Sequence, residues 1–134
     1  MLSAGSRWWR NRLMAKILIA DDDAASSEVI SVALSAEGHE ILYAGDGQEA
    51  LDLAIHQQPD LIFLDVMMPV FNGYETCSML RANPDLPPGV PIIFLTSVDF
   101  DKRKIEEVGA TDFLPKQHRI DELRDMVVKY LNKI

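Results

Sequence analysis

Leu61-Ile62-Phe63-Leu64 runs without a polar break into Asp65, and the short segment Val66-Met67-Met68 that follows closes at Pro69. A continuous apolar run without alternation suits a strand buried on both faces, as inside a parallel sheet. Asp65 falls where that strand ends. In open α/β sheets the binding crevice lies at the carboxyl ends of the strands. An isolated aspartate there is ordinarily a solvated loop residue, so its meaning depends on what else the chain brings to the same rim.

The chain supplies five strand-and-helix repeats. Lys16 to Ala20 is an apolar strand ending at Asp21-Asp22-Asp23. Ala25, Val29, Val32 and Ala36 recur at helical spacing, and Gly38 supplies a stop. Glu40 to Ala44 reads as a second strand. Gly47 to Gln57 reads as a helix with Ala50, Leu51 and Ala54 on one face, stopped by Pro59. After the central strand comes a helix from about Asn72 to Arg81. The proline-rich stretch from Asn83 to Gly89 must then be a loop. Ile92 to Leu95 is a buried strand ending at Thr96-Ser97, and Asp101 to Val108 a short charged helix before Gly109. Asp112 to Pro115 is a short strand ending at Lys116. The last helix runs from about Ile120 to Asn132, with Ile120, Leu123, Val127 and Tyr130 inward. Right-handed crossovers between such strands predict a doubly wound α/β sandwich.

Composition narrows the function. A chain of 134 residues favours one domain with a real core. A net charge of −8 argues against nucleic-acid binding by the domain, and no apolar run is long enough for membrane insertion. The single cysteine, Cys77, excludes an internal disulfide framework and reads as a reduced, partly buried thiol. Residues 1–13 are basic and aromatic (Ser-Arg-Trp-Trp-Arg-Asn-Arg), without the apolar stretch of a signal peptide. They read as a poorly ordered upstream extension, with the domain spanning residues 14–134.

The strand ends deliver chemistry. The first brings Asp21, Asp22 and Asp23, the third Asp65, the fourth Thr96 and Ser97, and the fifth Lys116. Carboxylates crowded in a small concave site at neutral pH require protonation or a cation. Ligation by carboxylates, a backbone carbonyl and waters is what Mg²⁺ prefers. An EF-hand is excluded, because three consecutive aspartates lack the alternate spacing and the central glycine. His39, His56 and His118 are too scattered for a Cys/His centre and read as surface or packing residues. An aspartate beside a divalent cation, with a lysine and a hydroxyl near, is equipped to attack a phosphoryl group and become an aspartyl phosphate. A hydroxyl from Thr96 can then bond a phosphoryl oxygen, a contact that exists only with the phosphate present.

Ile-Leu-Ile-Ala-Asp21-Asp22-Asp23, Leu-Asp65-Val-Met-Met-Pro69, Asn72-Gly73-Tyr74-Glu75, Phe-Leu-Thr96-Ser97 and Gly109-Ala110-Thr-Asp-Phe113-Leu-Pro-Lys116, in this order and spacing, resemble the receiver domain of two-component response regulators. The resemblance covers the chain from Lys16 onward. It implies the flavodoxin-like receiver fold, a five-stranded parallel sheet of order 2-1-3-4-5, and a cytoplasmic phosphoprotein rather than an enzyme. It also implies roles. Asp65 is the phosphoacceptor, taking its phosphoryl group from a histidine kinase or phosphotransfer protein. Asp22 binds Mg²⁺ directly and Asp21 mostly through ordered water, and Asp65 and the backbone carbonyl of Met67 are further ligands. Thr96 is the switch hydroxyl, Lys116 contacts the phosphoryl group, and Phe113 is the aromatic that moves between outward and inward positions. Asp23 reads instead as a helix N-terminal residue.

Two departures from the family pattern carry expectations. The segment between Thr96 and Gly109 is short, so its helix should have about two turns, with weaker order from Val98 to Lys102. Gln117 stands where the family has a proline after the lysine, so the Lys116–Gln117 peptide should be trans, with the lysine still pointing to Asp65. Output would pass through protein contacts or through an output domain of a longer regulator. Two other readings compete: a pseudo-receiver that acts as an interaction module without taking phosphate, and a Mg²⁺-dependent phosphohydrolase. The intact Asp22, Asp65, Thr96 and Lys116 oppose the first. The lack of a second acid or base close after Asp65 opposes the other.

Overall fold

The computed structural model describes residues 15–97 and 100–131. The basic prefix, Val98 and Asp99 of the loop expected to be less ordered, and the Asn132 end of the last helix lie outside the described residues. Strands and helices alternate: β1 (Lys16–Ala20), α1 (Ala24–Ser35), β2 (Glu40–Ala44), α2 (Gly47–Gln57), β3 (Leu61–Asp65), α3 (Gly73–Ala82), β4 (Ile92–Thr96), α4 (Lys102–Glu107), β5 (Asp112–Pro115) and α5 (Ile120–Leu131). All strand pairs are parallel, in the order β2-β1-β3-β4-β5. This is the doubly wound order expected.

The sheet divides two apolar layers. Leu18, Ile62, Leu64 and Phe94 point to one side, against Ala50 and Ala54 of α2, Cys77 and Leu80 of α3, and Ile105 of α4. Ile17, Ile19, Phe63, Ile93 and Leu95 point to the other, against Ile30 and Leu34 of α1 and Leu123 and Val127 of α5. Every residue of β3 and β4 is buried, as their unbroken apolar runs require. Most helix starts carry side-chain caps. Asp23 accepts from the amides of Ala25 and Ser26, Asp46 from Glu49 and Asp101 from Lys104, and Asn72 forms a reciprocal capping box with Glu75. Asp23 thus has the helix-terminal role read from the sequence.

One helix face differs from expectation. Ala25, Val29, Val32 and Ala36 of the predicted α1 stripe face solvent, with Val29 59% and Val32 64% exposed. The inward residues are Ser27, Ile30 and Leu34. Both sets have helical spacing, so periodicity alone does not choose between them. Ile30 and Leu34 bury more apolar area than two valines flanked by alanines. The inward serine is satisfied locally, its hydroxyl donating to the Asp23 carbonyl at 3.2 Å. In α5, Leu123, Val127 and Tyr130 face the core as expected, while Ile120 is only half-buried.

Three further expectations of local structure hold: the short fourth helix, the trans peptide after Lys116 and the buried thiol. α4 has six residues between its caps Asp101 and Val108, a little under two turns. No cis peptide occurs among the described residues, so Lys116–Gln117 is trans. Cys77 is a free, buried thiol whose Sγ donates to the Val108 carbonyl at 3.4 Å, and burial pushes it up to about 11. His39 is a packing histidine: it is buried, and its Nδ1 accepts the Ala15 amide at 3.3 Å.

Candidate functional site

Sheet register assembles the site. The last pair between β1 and β3 is Ala20 with Leu64, so one further step sets Asp21 beside Asp65. Asp65 pairs with Leu95, which makes Thr96 the next residue up on β4. Thr96 pairs with Pro115, and Lys116 follows. Three strand ends thus converge on Asp65.

α3 begins almost in contact with that carboxylate's backbone. Gly73 donates its amide to the Val66 carbonyl at 2.8 Å, and a Cβ at Gly73 would lie 2.3 Å from the Asp65 carbonyl oxygen. Only glycine permits that approach. The loop between β3 and α3 is also held from outside, since the Gly47 amide donates to the Pro69 carbonyl at 3.2 Å and a Cβ at Gly47 would lie 2.3 Å from the Phe71 carbonyl. Sequence reasoning missed this role of Gly47; the signal is a glycine directly after a capping aspartate, where a helix former would otherwise serve.

Asp21, Asp22 and Asp65 each offer a carboxylate oxygen, and these oxygens lie within 4.8 Å of one another. Asp21 is fully buried, Asp65 nearly so, and Asp22 exposed at the mouth. The Lys116 ammonium reaches into the group, with Nζ 3.0 Å from Asp65 Oδ2 and 3.2 Å from Asp21 Oδ2. The Asp65 Oδ1 accepts the Met67 amide at 3.3 Å, so the Met67 backbone is folded back toward the aspartate while the residue stays 70% exposed. Asp21 Oδ1 accepts the Asp23 amide at 2.9 Å.

Charge in this group is unbalanced. Burial pushes the Asp65 carboxyl up to about 6, the neighbouring Asp21 adds to the rise, and Lys116 offsets only part of it. Burial pulls the Lys116 ammonium down, but its contacts with Asp65 and Asp21 outweigh this and hold it above its ordinary value. Asp21 Oδ2 is buried with no hydrogen-bond donor directed at it, although Lys116 Nζ is near. A buried carboxylate oxygen without a donor is costly. Three clustered carboxylates, one with a buried oxygen held only through its ion pair with Lys116, make a hard, all-oxygen donor set that fits a divalent cation such as Mg²⁺.

The two remaining predicted residues sit at the edge. Thr96 is buried, and its Oγ1 makes a long contact of 3.5 Å to the Leu114 carbonyl. Phe113 is half-buried on β5, its ring 5.0 Å from that of Phe100, with Lys102 Nζ 5.9 Å over its face. Phe100 was not singled out by the sequence reading; nothing in its local pattern ties it to β5. Among the scattered histidines, His56 is exposed at the end of α2, and His118 lies two residues beyond Lys116.

Comparisons with known proteins bear on the family and the fold. The profile of the response regulator receiver domain matches residues 17–128. The response regulator MprA of Mycolicibacterium vanbaalenii is 41% identical over 110 residues, covering 81% of this chain and 46% of that protein. The chain therefore spans about half the length of the curated relatives it matches. The chemotaxis response regulator CheY4 of Vibrio cholerae superposes with a TM-score of 0.81 at 32% identity, over 87% of this chain and 98% of that one. The receiver domain of the sensor histidine kinase PA1611 from Pseudomonas aeruginosa PAO1, solved with a magnesium ion coordinated in its active site cleft, gives a TM-score of 0.82 at 28% identity, over 89% and 98%. Profile, relatives and fold agree that this chain belongs to the response regulator receiver domain family of two-component systems.

Proposed function

We propose that the domain is a phosphoacceptor switch in which Asp65 takes the phosphoryl group. The observation that carries this reading is the position of Asp65: it ends the central strand, is almost fully buried, and is met by one ammonium and two further carboxylates. An Asp65 carboxylate oxygen attacks phosphorus as the bond from phosphorus to the donor breaks. The donor is the phosphoimidazole of a histidine kinase or phosphotransfer protein, or a small acyl phosphate. Asp65 must be ionised to attack, and Lys116 favours that form. Lys116 keeps its proton and neutralises one equatorial oxygen of the transferring group.

Asp22 would hold Mg²⁺ directly and Asp21 through water, with Asp65 and the Met67 carbonyl as further ligands. The ion supplies positive charge against the phosphoryl oxygens. Magnesium in the active site cleft of the PA1611 receiver domain supports this assignment. The weak hold on the Thr96 hydroxyl leaves it able to turn to a phosphoryl oxygen, and Phe113 would answer by changing its packing against Phe100. The signal then passes to a downstream protein or an output domain, such as the remainder of a longer regulator would provide. A cytoplasmic location and the absence of turnover on an external substrate belong to the same reading.

Incubation with acetyl phosphate and Mg²⁺ tests it. Intact mass should show one added phosphoryl group, labile to hydroxylamine and absent in Asp65→Asn. Mg²⁺ binding without any phosphoryl gain in the unmutated chain would instead establish a pseudo-receiver, an interaction module that takes no phosphate.

A further inference from the structure

The turn that carries Lys116 from β5 to α5 contains no proline after the lysine; Gln117 and His118 come next. Their backbone torsions are not restricted by a ring. The ammonium is nonetheless aimed to 3.0 Å from Asp65. On one side the turn is tied through the Lys116 amide, which donates to the Thr96 carbonyl at 2.7 Å. On the other, the Nδ1 of His118 lies 2.8 Å from the Pro115 carbonyl oxygen. A carbonyl oxygen only accepts, so Nδ1–H is the donor. The imidazole therefore closes the four-residue turn from Pro115 to His118, with Lys116 inside it.

The surroundings make that tie consequential. His118, Lys116 and Asp21 together line a recess of about 150 Å³, walled by Ile30 and Ile120. A lysine on a loosened turn has this space to swing into, away from Asp65. We infer that His118 is a positioning residue for phosphoryl transfer, holding through the Pro115 carbonyl the turn from which Lys116 reaches Asp65. The inference rests on the reading of Asp65 as the phosphoacceptor, and gives a role to a histidine whose sequence context suggested only a surface or packing residue.

Three variants separate the hydrogen bond from the bulk of the ring. His118→Ala removes the donor. His118→Asn keeps an N–H close to where Nδ1 stands. His118→Gln places its N–H one bond further out, beyond the Pro115 carbonyl. Two quantities are read at saturating Mg²⁺: the rate of phosphorylation by acetyl phosphate, and the NMR resonance of the Lys116 ammonium, assigned by its loss in Lys116→Met. The alanine and glutamine variants should be slower by about tenfold, as expected for a misplaced charged group, with the ammonium resonance moved toward those of surface lysines. The asparagine variant should stay within about twofold of the parent rate, an allowance well inside that effect, with the resonance unmoved. Parent-like rates in the alanine and glutamine variants would overturn the inference. So would an asparagine variant as slow as the alanine one, which would assign the effect to ring packing. Should the parent itself take no phosphate, the phosphoacceptor reading fails on its own; an unmoved ammonium resonance in His118→Ala would then overturn the positioning role separately.

Discussion

Lys116 Nζ sits 3.0 Å from Asp65 Oδ2, across 51 positions of sequence, and the same ammonium lies 3.2 Å from Asp21 Oδ2. One cation thus serves two buried carboxylates, with a third, Asp22, at the mouth. Without a divalent ion the group stores repulsion and desolvation, which is why the Asp65 carboxyl rises to about 6. The site holds more negative charge than its one ammonium offsets, and this costs stability.

The cost has a definite pH sign. A carboxyl raised in the folded state contributes stability below its unfolded value, near 4, and loses it as pH rises through about 6. Metal-free protein should therefore be less stable at pH 7.5 than at pH 5 on account of Asp65. Asp65→Asn, which removes the charge, should stabilise the metal-free protein at pH 7.5 by on the order of 1 kcal/mol, and by about half as much at pH 5. Urea unfolding in EDTA measures the difference. Added Mg²⁺ should stabilise the parent more than the variant; an equal gain in both would show that Asp65 is not a ligand.

His39 carries the opposite sign. Burial lowers its imidazole below the ordinary value, and the nearby Glu37 and Asp60 only partly restore it. Its Nδ1 must be unprotonated to accept the Ala15 amide. A depressed histidine contributes stability above its unfolded value, about 6.5, and loses it as pH falls. His39→Asn keeps an acceptor close to the Nδ1 position and does not titrate. Between pH 7 and pH 5 the parent should therefore lose stability relative to this variant, in urea unfolding with EDTA in both. Parallel profiles would mean that the ring is free to protonate in the fold.

The strand ends were legible because apolar runs stop at polar residues, and a parallel sheet aligns those stops. The register that brings Asp21, Asp65, Thr96 and Lys116 together follows from that order alone. The inward face of α1 was not legible, because Ala25-Val29-Val32-Ala36 and Ser27-Ile30-Leu34 are both spaced for a helix and the choice is made by packing. Interactions with backbone atoms far along the chain left no pattern either. Gly47 against Phe71 and Arg81 against Gly109 are contacts between a side chain, or its absence, and a peptide group, which any residue supplies.

Val70 is another feature that the sequence does not signal. It adopts φ 69°, in the left-handed region, although β-branched, and the residue is 67% exposed. Strain of this kind costs about 1–3 kcal/mol, and the exposed valine makes up little of it by burial. Val70→Gly removes the Cβ conflict, and Val70→Asn reduces it. Both should raise the midpoint of thermal unfolding, the glycine by on the order of 1 kcal/mol in stability after its own entropy cost. A lower midpoint in both variants would show that Val70 makes contacts worth more than the strain.

Arg81, in the last turn of α3, joins its own helix to two loop segments. Its Nε donates to the Gly109 carbonyl at 2.8 Å, Nη1 to the Val90 carbonyl at 2.8 Å and the Pro88 carbonyl at 3.2 Å, and Nη2 to Thr111 Oγ1 at 3.2 Å. The proline-rich loop and the turn from α4 into β5 are thereby pinned to one helix. Thr111 Oγ1 also accepts the Ile92 amide at 2.9 Å, so the network reaches the start of β4. A planar fork with five donors can satisfy acceptors in several directions at once, and an ammonium on a flexible stem cannot do so in the same geometry. Gly109 bears on the same contact, since with φ 86° it turns beneath the Arg81 side chain, 3.2 Å from where a Cβ would stand. Arg81→Ala leaves several carbonyls without this donor and should cost about 2–3 kcal/mol in chemical unfolding. Arg81→Lys should recover less than half of that loss. Because the strand ends are fixed by the sheet and not by this staple, phosphorylation of the folded Arg81→Lys protein should proceed at close to the parent rate. A lysine variant as stable as the parent would show that one cationic point contact suffices, and that the fork's geometry contributes nothing.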